Sequence, residues 1–462
     1  MALLSTDRTP GFKLALAILI SVILAVPLAV VWGLLSDRQA QSETARASIA
    51  EGWGGPQLIA GPLLVVPYLE TVSETVVETG QQVTRARQVW RELKLAPESV
   101  NLETLVAPER RQRSIYEAVV YQASVRGGAR FALPRDLARF GVTVDELALD
   151  RAELRFGLSD ARGLVGAPPA VVVDGRALAL HPGGGTSETG GSGFFSFADA
   201  NALRAGPMNA QFVFTFRGNG WLAMQPNAGD TRWRVRSSWA HPSFGGGFLP
   251  VTRQVGPRGF DAAWRVGNLA LGRSLVTTQD AGDPRARPAG AGQAAPGPQE
   301  ARIDLTQPVD IYAQVNRATK YGFLFIGFTF LAFLLFDIIG GVRVSSVEYL
   351  MVGAGLILFF VLLLAFSEVI GFTAAYLVAS AAIVGLLTAY SAAVLKSWRR
   401  AGFIAGLLGA LYVVLYILLS LEAYSLLIGS LMLFAALAGV MYLTRNLDWA
   451  RGRGEASEAE AA

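Results

Sequence analysis

The chain has 462 residues, 52% of them hydrophobic and only 16% charged, and its 50 glycines exceed the usual share of about 7%. With 40 Lys and Arg against 36 Asp and Glu the net charge is +4, too small for a nucleic-acid footprint without strong clustering, so no nucleic-acid partner is expected. The lack of cysteine excludes disulfides, thiolate metal sites and cysteine nucleophiles; with His181 and His241 the only histidines, a histidine-rich centre is excluded too, and no cofactor is expected.

Residues 1–13 lead into Leu14 to Leu35, 22 residues without a charge. At ~1.5 Å per residue this run crosses a hydrocarbon core of ~30 Å. A secretory signal has a shorter apolar region followed closely by a small-residue cleavage site. Here Trp32, Asp37 and Arg38 occupy that region, so an uncleaved anchor is predicted, kinked at Pro27. Arg38 to Glu51, rich in Ala and Gln, reads as an outward continuation of the helix that Gly52 stops.

Residues 36–320 carry 58 of the chain's 76 charges, about 20% of their number, close to the density of a soluble domain. Ala152, Leu154, Phe156 and Leu158 alternate with polar residues and Gly157, Phe212, Phe214 and Phe216 recur at the same spacing, and Trp233 and Val235 interleave with Arg232, Arg234 and Arg236. A period of two marks half-buried strands, and antiparallel sheet with one wet face is predicted. Two tracts, Gly183 to Gly193 and Asp280 to Glu300, read as mobile loops or linkers. The expected domain is β-rich, either one body or two packed lobes divided near the first tract. The second tract is expected to precede a strand that re-enters the membrane.

From Tyr321 to Leu443 only eight residues in 123 are charged, and they act as punctuation. They separate 321–341, 349–366, 370–395, 401–421 and 423–443, all within or near the spanning range of about 17 to 25 residues. With the first helix this predicts a six-span α-helical membrane protein, the large β-rich domain inserted between spans one and two, and 444–462 as a tail. Short cytoplasmic loops are enriched in Lys and Arg. With both termini in the cytoplasm, Arg8, Lys13, Arg343, Lys396, Arg399, Arg400 and Arg445 all lie inside, while the tight outer turns carry Glu368 and Glu422.

Several segments are similar to the bacterial inner-membrane CreD family. They are EGWGGPQLIAGPLLVVPY at Glu51 to Tyr68, FGLSDARGL at Phe156 to Leu164, SSWAHPSFGGGFLP at Ser237 to Pro250 and GFDAAW at Gly259 to Trp264. The helical part adds PVDIYAQVNRATKYGFLFIGFTF at Pro308 to Phe330, SEVIGF at Ser367 to Phe372 and TRNLDW at Thr444 to Trp449. The resemblance covers nearly the whole chain and departs from the family pattern at FLLFDIIGG, which holds Asp337, and at Ser345 to Tyr349. It marks Trp53, Gly61, Pro62, Trp239, His241, Pro242, Phe244, Pro250, Glu368, Asp448 and Trp449 as motif positions and assigns a role to none. It implies a protein of the bacterial inner membrane that supports envelope integrity or a stress response through a periplasmic domain. The implied partners are the lipid bilayer and an envelope protein, lipid or peptidoglycan.

His241, flanked by Ser238 and Ser243, is the one place where a Ser–His nucleophile would be sought, and a membrane-bound hydrolase is an alternative on that ground. No strand–turn–helix elbow surrounds either serine, and a His before Pro more simply bonds the backbone or packs on Trp239 and Phe244. The glycine runs 183–185 and 245–247 lack the helix N-terminus and the Lys or Ser/Thr spacing of a phosphate loop. The acids Asp337, Glu348, Glu368 and Glu422 fall near span ends rather than at the bilayer centre, where transporters place coupling sites, so local pairing such as Asp337 with Arg343 is expected. A transporter or channel built on the five-helix block is the other alternative. Gly402, Gly406 and Gly409, with Ala435 and Gly439, predict close helix packing inside the bundle. Trp32, Tyr321, Tyr349 and Trp398 are expected in an interfacial aromatic belt.

Overall fold

A computed structural model describes residues 10–78, 81–113, 116–278, 299–305, 311–339, 346–395, 397–420 and 425–445. Two compact units emerge, a β unit from Thr44 to Pro308 and a helical unit comprising Met1–Glu43 and Val309–Ala462. Helix α1 runs from Pro10 to Trp53 through Pro27, so its last turns belong to the β unit.

The β unit begins with two long arms, β1 (Gln57–Glu78) with β2 (Gln81–Leu95), and β3 (Ser99–Arg113) with β4 (Tyr116–Phe131). There follow β5 (Ala152–Leu158), β6 (Ala170–Val173), β7 (Arg176–Ala177), β8 (His181–Pro182), β9 (Gly193–Ala198), β10 (Met208–Asn219) and β11 (Trp221–Gln225). The last group is β12 (Asp230–Ser237), β13 (Ser243–Gly246), β14 (Thr252–Gly256), β15 (Gly259–Gly267), the short helix α2 (Asn268–Leu271), β16 (Val276–Thr277) and β17 (Ala301–Asp304). One sheet of nine strands has the order β13-β17-β11-β1-β5-β9-β8, with β2 beside β1 and β16 beside β2. The other, of eight, is ordered β14-β15-β12-β3-β4-β10-β6-β7. The pairings are antiparallel except β1 with β11 and β3 with β12, a distinction that side-chain alternation does not encode.

Alternation decides which face each strand buries. In β12, Thr231, Trp233, Val235 and Ser237 are buried while Arg232, Arg234 and Arg236 face water; Phe212, Phe214 and Phe216 do the same in β10 and Leu154 and Phe156 in β5. The inner faces of both sheets share one core, in which the rings of Phe156, Phe194, Phe212 and Phe214 pack stacked and edge-on at centroid distances of 5.0 to 6.4 Å.

A division into two lobes near Gly183 is therefore replaced by one sandwich, because strands from before and after the tract contribute to both sheets. Nor is that tract a linker. Gly185 donates to the Gly191 carbonyl (2.9 Å), Gly191 to that of Thr186 (3.0 Å) and Thr189 Oγ1 to that of Ser192 (2.6 Å), closing a tight loop over a buried Thr186. Gly193, at φ +141°, lies where a Cβ would run into the Phe156 carbonyl oxygen, so glycine here permits close approach of two strands. Most of the second tract lies outside the described residues. The strand expected after it is β17, and beyond 306–310, also outside the described residues, the chain continues as a helix, α3.

The helical unit adds α3 (Ile311–Lys320), α4 (Gly322–Ile339), α5 (Ser346–Ile370), α6 (Phe372–Leu395), α7 (Trp398–Ser420) and α8 (Ser425–Thr444). Among the described residues, four stretches are long and apolar enough to cross a membrane: Ile18–Trp53, Val347–Ile370, Phe372–Ala393 and Ala401–Leu419. A shorter apolar helix covers Gly429–Gly439. Six spans were read from the sequence; four meet the length and apolarity required, and α4 and α8 are helical over two further expected positions.

Helices α5, α6 and α7 pack side by side, with Phe359 4.7 Å from Tyr412 ring to ring and the Tyr376 hydroxyl donating to the Tyr412 carbonyl at 2.7 Å. Helix α7 turns Ala401, Ile404, Leu408, Tyr412 and Leu415 into this core. Gly402, Gly406 and Gly409 consequently fall away from it. Among the described residues, their own helix aside, no atom lies within 4 Å of where their Cβ, or that of Gly439, would stand, so the close packing expected of these glycines is not seen there. Tyr349, expected in the interfacial belt, is instead buried against Phe330 and Phe333, while Trp32 and Trp398 are exposed.

Candidate functional site

The first two segments that resemble the family meet around Gln57, at the start of β1. Its side chain is fully buried and uses both ends. Nε2 donates to the carbonyls of Asp160 (3.0 Å) and Arg217 (2.9 Å), and Oε1 accepts from the Asp160 amide (3.1 Å) and the Ser159 hydroxyl (3.2 Å). Asp160 Oδ2 in turn accepts from the Gly55 amide at 3.1 Å, and Asn219 Nδ2 donates to the Gly54 carbonyl at 3.1 Å. The bond from the Arg162 guanidinium is the main reason the Asp160 carboxyl titrates below its ordinary range. Gly163 is glycine because a Cβ there would collide with the Arg217 carbonyl and the Gln57 amide.

Trp53, the last residue of α1, sits at the rim of this node. Its indole N–H donates to the Tyr121 carbonyl (3.3 Å), and the guanidiniums of Arg217 and Arg111 lie 4.1 and 4.5 Å from its ring centroid. The Tyr121 hydroxyl, fully buried and donating to the Trp221 carbonyl at 2.8 Å, has its pKa pushed far up by desolvation and stays neutral. Arg110, next to Arg111 on β3, places its guanidinium 5.7 Å from the Trp239 ring. Adjacent strand residues point to opposite sides, so the β3 arm touches both motif tryptophans.

Trp239 itself is buried and donates through Nε1 to the carbonyl of His241 (3.1 Å). The His241 side chain is exposed, Pro242 and Pro250 are half-buried, and Phe244 packs edge-on against Phe260 (5.7 Å) and Trp264 (5.8 Å). His181 is exposed and lies against Phe195 and Phe197. Gly61 and Pro62, joined by a cis peptide, occupy the register shift between β1 and β5, and Asn227 Nδ2 donates to the Pro62 carbonyl at 3.2 Å. His241→Ala is expected to leave folding and complementation of a deletion strain unchanged, since only its backbone carbonyl is used; lost complementation with an unchanged Tm would revive the hydrolase reading.

In the helical unit, Glu368 is in the last turn of α5, where Gly371 at φ +78° ends the helix before α6. Its Oε1 accepts from the Tyr312 hydroxyl at 3.0 Å, so the DIYAQVNRATKYGF and SEVIGF segments meet. Helix α3 packs against α4, α5, α6 and α7 through Tyr312, Val315, Ala318 and Thr319. Glu348 is in the first turn of α5, and Asp337 lies near the end of α4. Glu422, Asp448 and Trp449 lie outside the described residues.

Among the described residues the structure thus gathers the motif positions into four places rather than one: Trp53 with the Gln57 node, Gly61 and Pro62 at the β1–β5 register shift, Trp239 with Phe244, and Glu368 with Tyr312. Gln57, Asp160 and Tyr312 lie inside the segments that resemble the family, and Arg217 directly follows the alternating phenylalanines within β10. Among the described residues no three His, Cys, Asp or Glu side chains gather closely enough to hold a metal ion.

Long apolar helices together with a two-sheet β unit define the class, a helical membrane protein with a large β-rich domain. The chain belongs to the family of the inner membrane protein CreD, whose profile matches residues 9–450. It is 32% identical over 435 residues to the inner membrane protein CreD of Escherichia coli (strain K12), a match covering 92% of this chain and 91% of that one.

Proposed function

We propose that this inner-membrane protein supports envelope integrity without catalysis, by binding or stabilising an envelope component through its β unit. In this reading the β unit is periplasmic, both termini are cytoplasmic, and six helices span the membrane, with α4 and α8 added to the four long apolar stretches. The observation that supports it is the join after α1. Gln57, four residues beyond the last residue of the helix, is already held inside the sandwich by hydrogen bonds at both ends of its amide, so the folded β body begins within a turn's length of chain after α1. The distribution of Arg and Lys in the short loops supports the orientation.

A chain without cysteine makes the topology directly testable. Gln254→Cys, on the exposed strand β14, is expected to react with a membrane-impermeant maleimide in cells with a permeabilised outer membrane, and Ser457→Cys only after lysis. The reverse pattern would overturn the orientation. Deleting the gene is expected to raise envelope permeability to detergents and β-lactams, and unchanged permeability under stress counts against the role.

A transporter or channel is the second reading, favoured by the Tyr312–Glu368 hydrogen bond within the helical unit. The substitutions Tyr312→Phe, Glu368→Gln, Glu422→Gln and Asp337→Asn separate the two. Retained complementation is expected if the β unit carries the function; its loss in a folded protein would favour transport.

A further inference from the structure

On the wet face of the eight-stranded sheet, the three arginines of β12 lie beside β15 in a fixed register: Arg232 opposite Arg265, Arg234 opposite Ala263 and Arg236 opposite Asp261. Two carboxylates hold the four guanidiniums in place. Asp230 accepts from Arg265 (2.9 and 3.3 Å) and Arg232 (3.0 Å), and Asp261 accepts from Arg234 (2.9 and 2.6 Å) and Arg236 (3.2 Å). The bonds from Arg265 and Arg234, respectively, are the main reason both carboxyls titrate below the usual range. A guanidinium has five N–H donors, and these hydrogen bonds engage no more than two nitrogens of each, so donors remain on every one.

Between Arg265 and Asp261 the strand carries only a methyl group, Ala263. Ala263 lines an open recess of about 310 Å³ together with Arg232, Arg234, Arg265, Asn101, Thr252 and the apolar Leu102 and Val251. That is near the lower end of small-molecule sites, which run ~300–1,000 Å³. Glu103 also lines it, in register with Arg234 of β12 on one side and Arg126 of β4 on the other. Five guanidiniums, those of Arg126, Arg232, Arg234, Arg236 and Arg265, thus face three carboxylates, a local excess of +2 on a face where every cation is a planar fork. A phosphate monoester carries about −1.5 to −2 at neutral pH and matches both that charge and the bidentate geometry of arginine.

We infer that the recess lined by Ala263, Arg232, Arg234 and Arg265 binds a phosphate monoester borne on a sugar or a lipid. The inference rests on the reading that the β unit binds an envelope component, and supplies the chemistry of that component. Preorganised guanidiniums give the orientation, and Asn101 and Thr252, which also line the recess, add polar groups for the part that carries the phosphate.

The test is calorimetric titration of the full chain in nanodiscs, at low ionic strength, with methyl phosphate, glucose 1-phosphate and dihexanoyl phosphatidic acid. Methyl phosphate is expected to bind with Kd on the order of 1 mM, weakening as salt rises. One of the other two probes is expected to bind about tenfold tighter, which names the source. Arg234→Gln should weaken binding about tenfold or more, Arg234→Lys should restore only part of it, and Ala263→Leu should abolish it by filling the recess. Arg91→Gln, which breaks the Arg91–Glu70 pair on the other sheet, should change nothing. No saturable binding by the unaltered chain, or unchanged binding in folded Arg234→Gln and Ala263→Leu proteins, would overturn the site and leave the envelope role, scored by complementation, standing. Binding that Arg234→Gln abolishes while complementation stays complete would overturn the link between the site and that role.

Discussion

Replacing Gln57 by Leu is expected to lower the stability of the β unit by about 3–6 kcal/mol, a large part of the ~5–15 kcal/mol typical of a folded domain. Leucine is similar in volume, so the cost does not come from a void. It comes from what the amide leaves behind: the carbonyls of Asp160 and Arg217 and the Asp160 amide, all of which lose the partner that replaced water. Each stranded buried group costs ~1–3 kcal/mol, and the three share one neighbourhood, so their costs will not simply add. Gln57→Glu should be as damaging, because a carboxylate would point an oxygen at two carbonyl oxygens. The measurement is thermal unfolding of the full chain in detergent, followed by near-ultraviolet circular dichroism. For a unit of this size, ~2–4 °C of Tm is lost per kcal/mol, so a fall of about 10 °C is expected. A Leu variant within about 2 °C of the parent would show that the node is not what holds Trp53 and the end of α1 against the sheets.

None of this was legible in the residue pattern. Gln57 sits in a run of glycines and prolines whose composition suggests a turn, and its partners are 103 and 160 residues away. Periodicity reports which face of an element is apolar, and it worked wherever one element has two unlike faces, as in β5, β10 and β12. It is silent about polar side chains whose role is to close contacts between distant segments. The segments that resemble the family did contain Gln57, Asp160 and Tyr312, but a segment does not say which of its residues points inward.

Glycine was the residue most open to misreading. In Gly183 to Gly193 its abundance suggested freedom, whereas Gly185 and Gly193 are required because a neighbouring carbonyl occupies the space of a Cβ. In α7 its spacing suggests close packing, whereas the buried face is that of Leu408 and Tyr412, and it is Tyr412 that meets Tyr376 of α6. Both errors have one cause: a missing side chain is compatible with crowding and with emptiness, and only the surrounding atoms distinguish them. Tyr349 illustrates the same limit for aromatics, since a tyrosine near a span end satisfies an interfacial position and a bundle core equally well by sequence.

Trp233→Ala is the second large effect expected, about 3–5 kcal/mol, and its value lies in the contrast with the residue beside it. Trp233 is 1% exposed, its ring lies 4.8 Å from that of Trp264, and its indole N–H donates to Thr104 Oγ1 at 2.9 Å. Truncation removes the ring, opens a cavity between two sheets that cannot fully close over it, and strands a buried hydroxyl. Arg234, the next residue, is about half exposed and paired with Asp261 on the wet face, where an ion pair is worth ~0–1 kcal/mol. Arg234→Ala should therefore move Tm by no more than about 2–3 °C, while Trp233→Ala moves it by about 10 °C. Trp233→Phe should fall between them, keeping much of the apolar contact and losing the hydrogen bond to Thr104. Removing Trp264 as well should cost less than the sum of the two single changes, because the second truncation enlarges a cavity already made. If the two neighbouring alanine substitutions proved equally mild, the strict alternation that assigns Trp233 inward and Arg234 outward would be wrong, and the arginine-walled recess would lose its geometric basis along with the core.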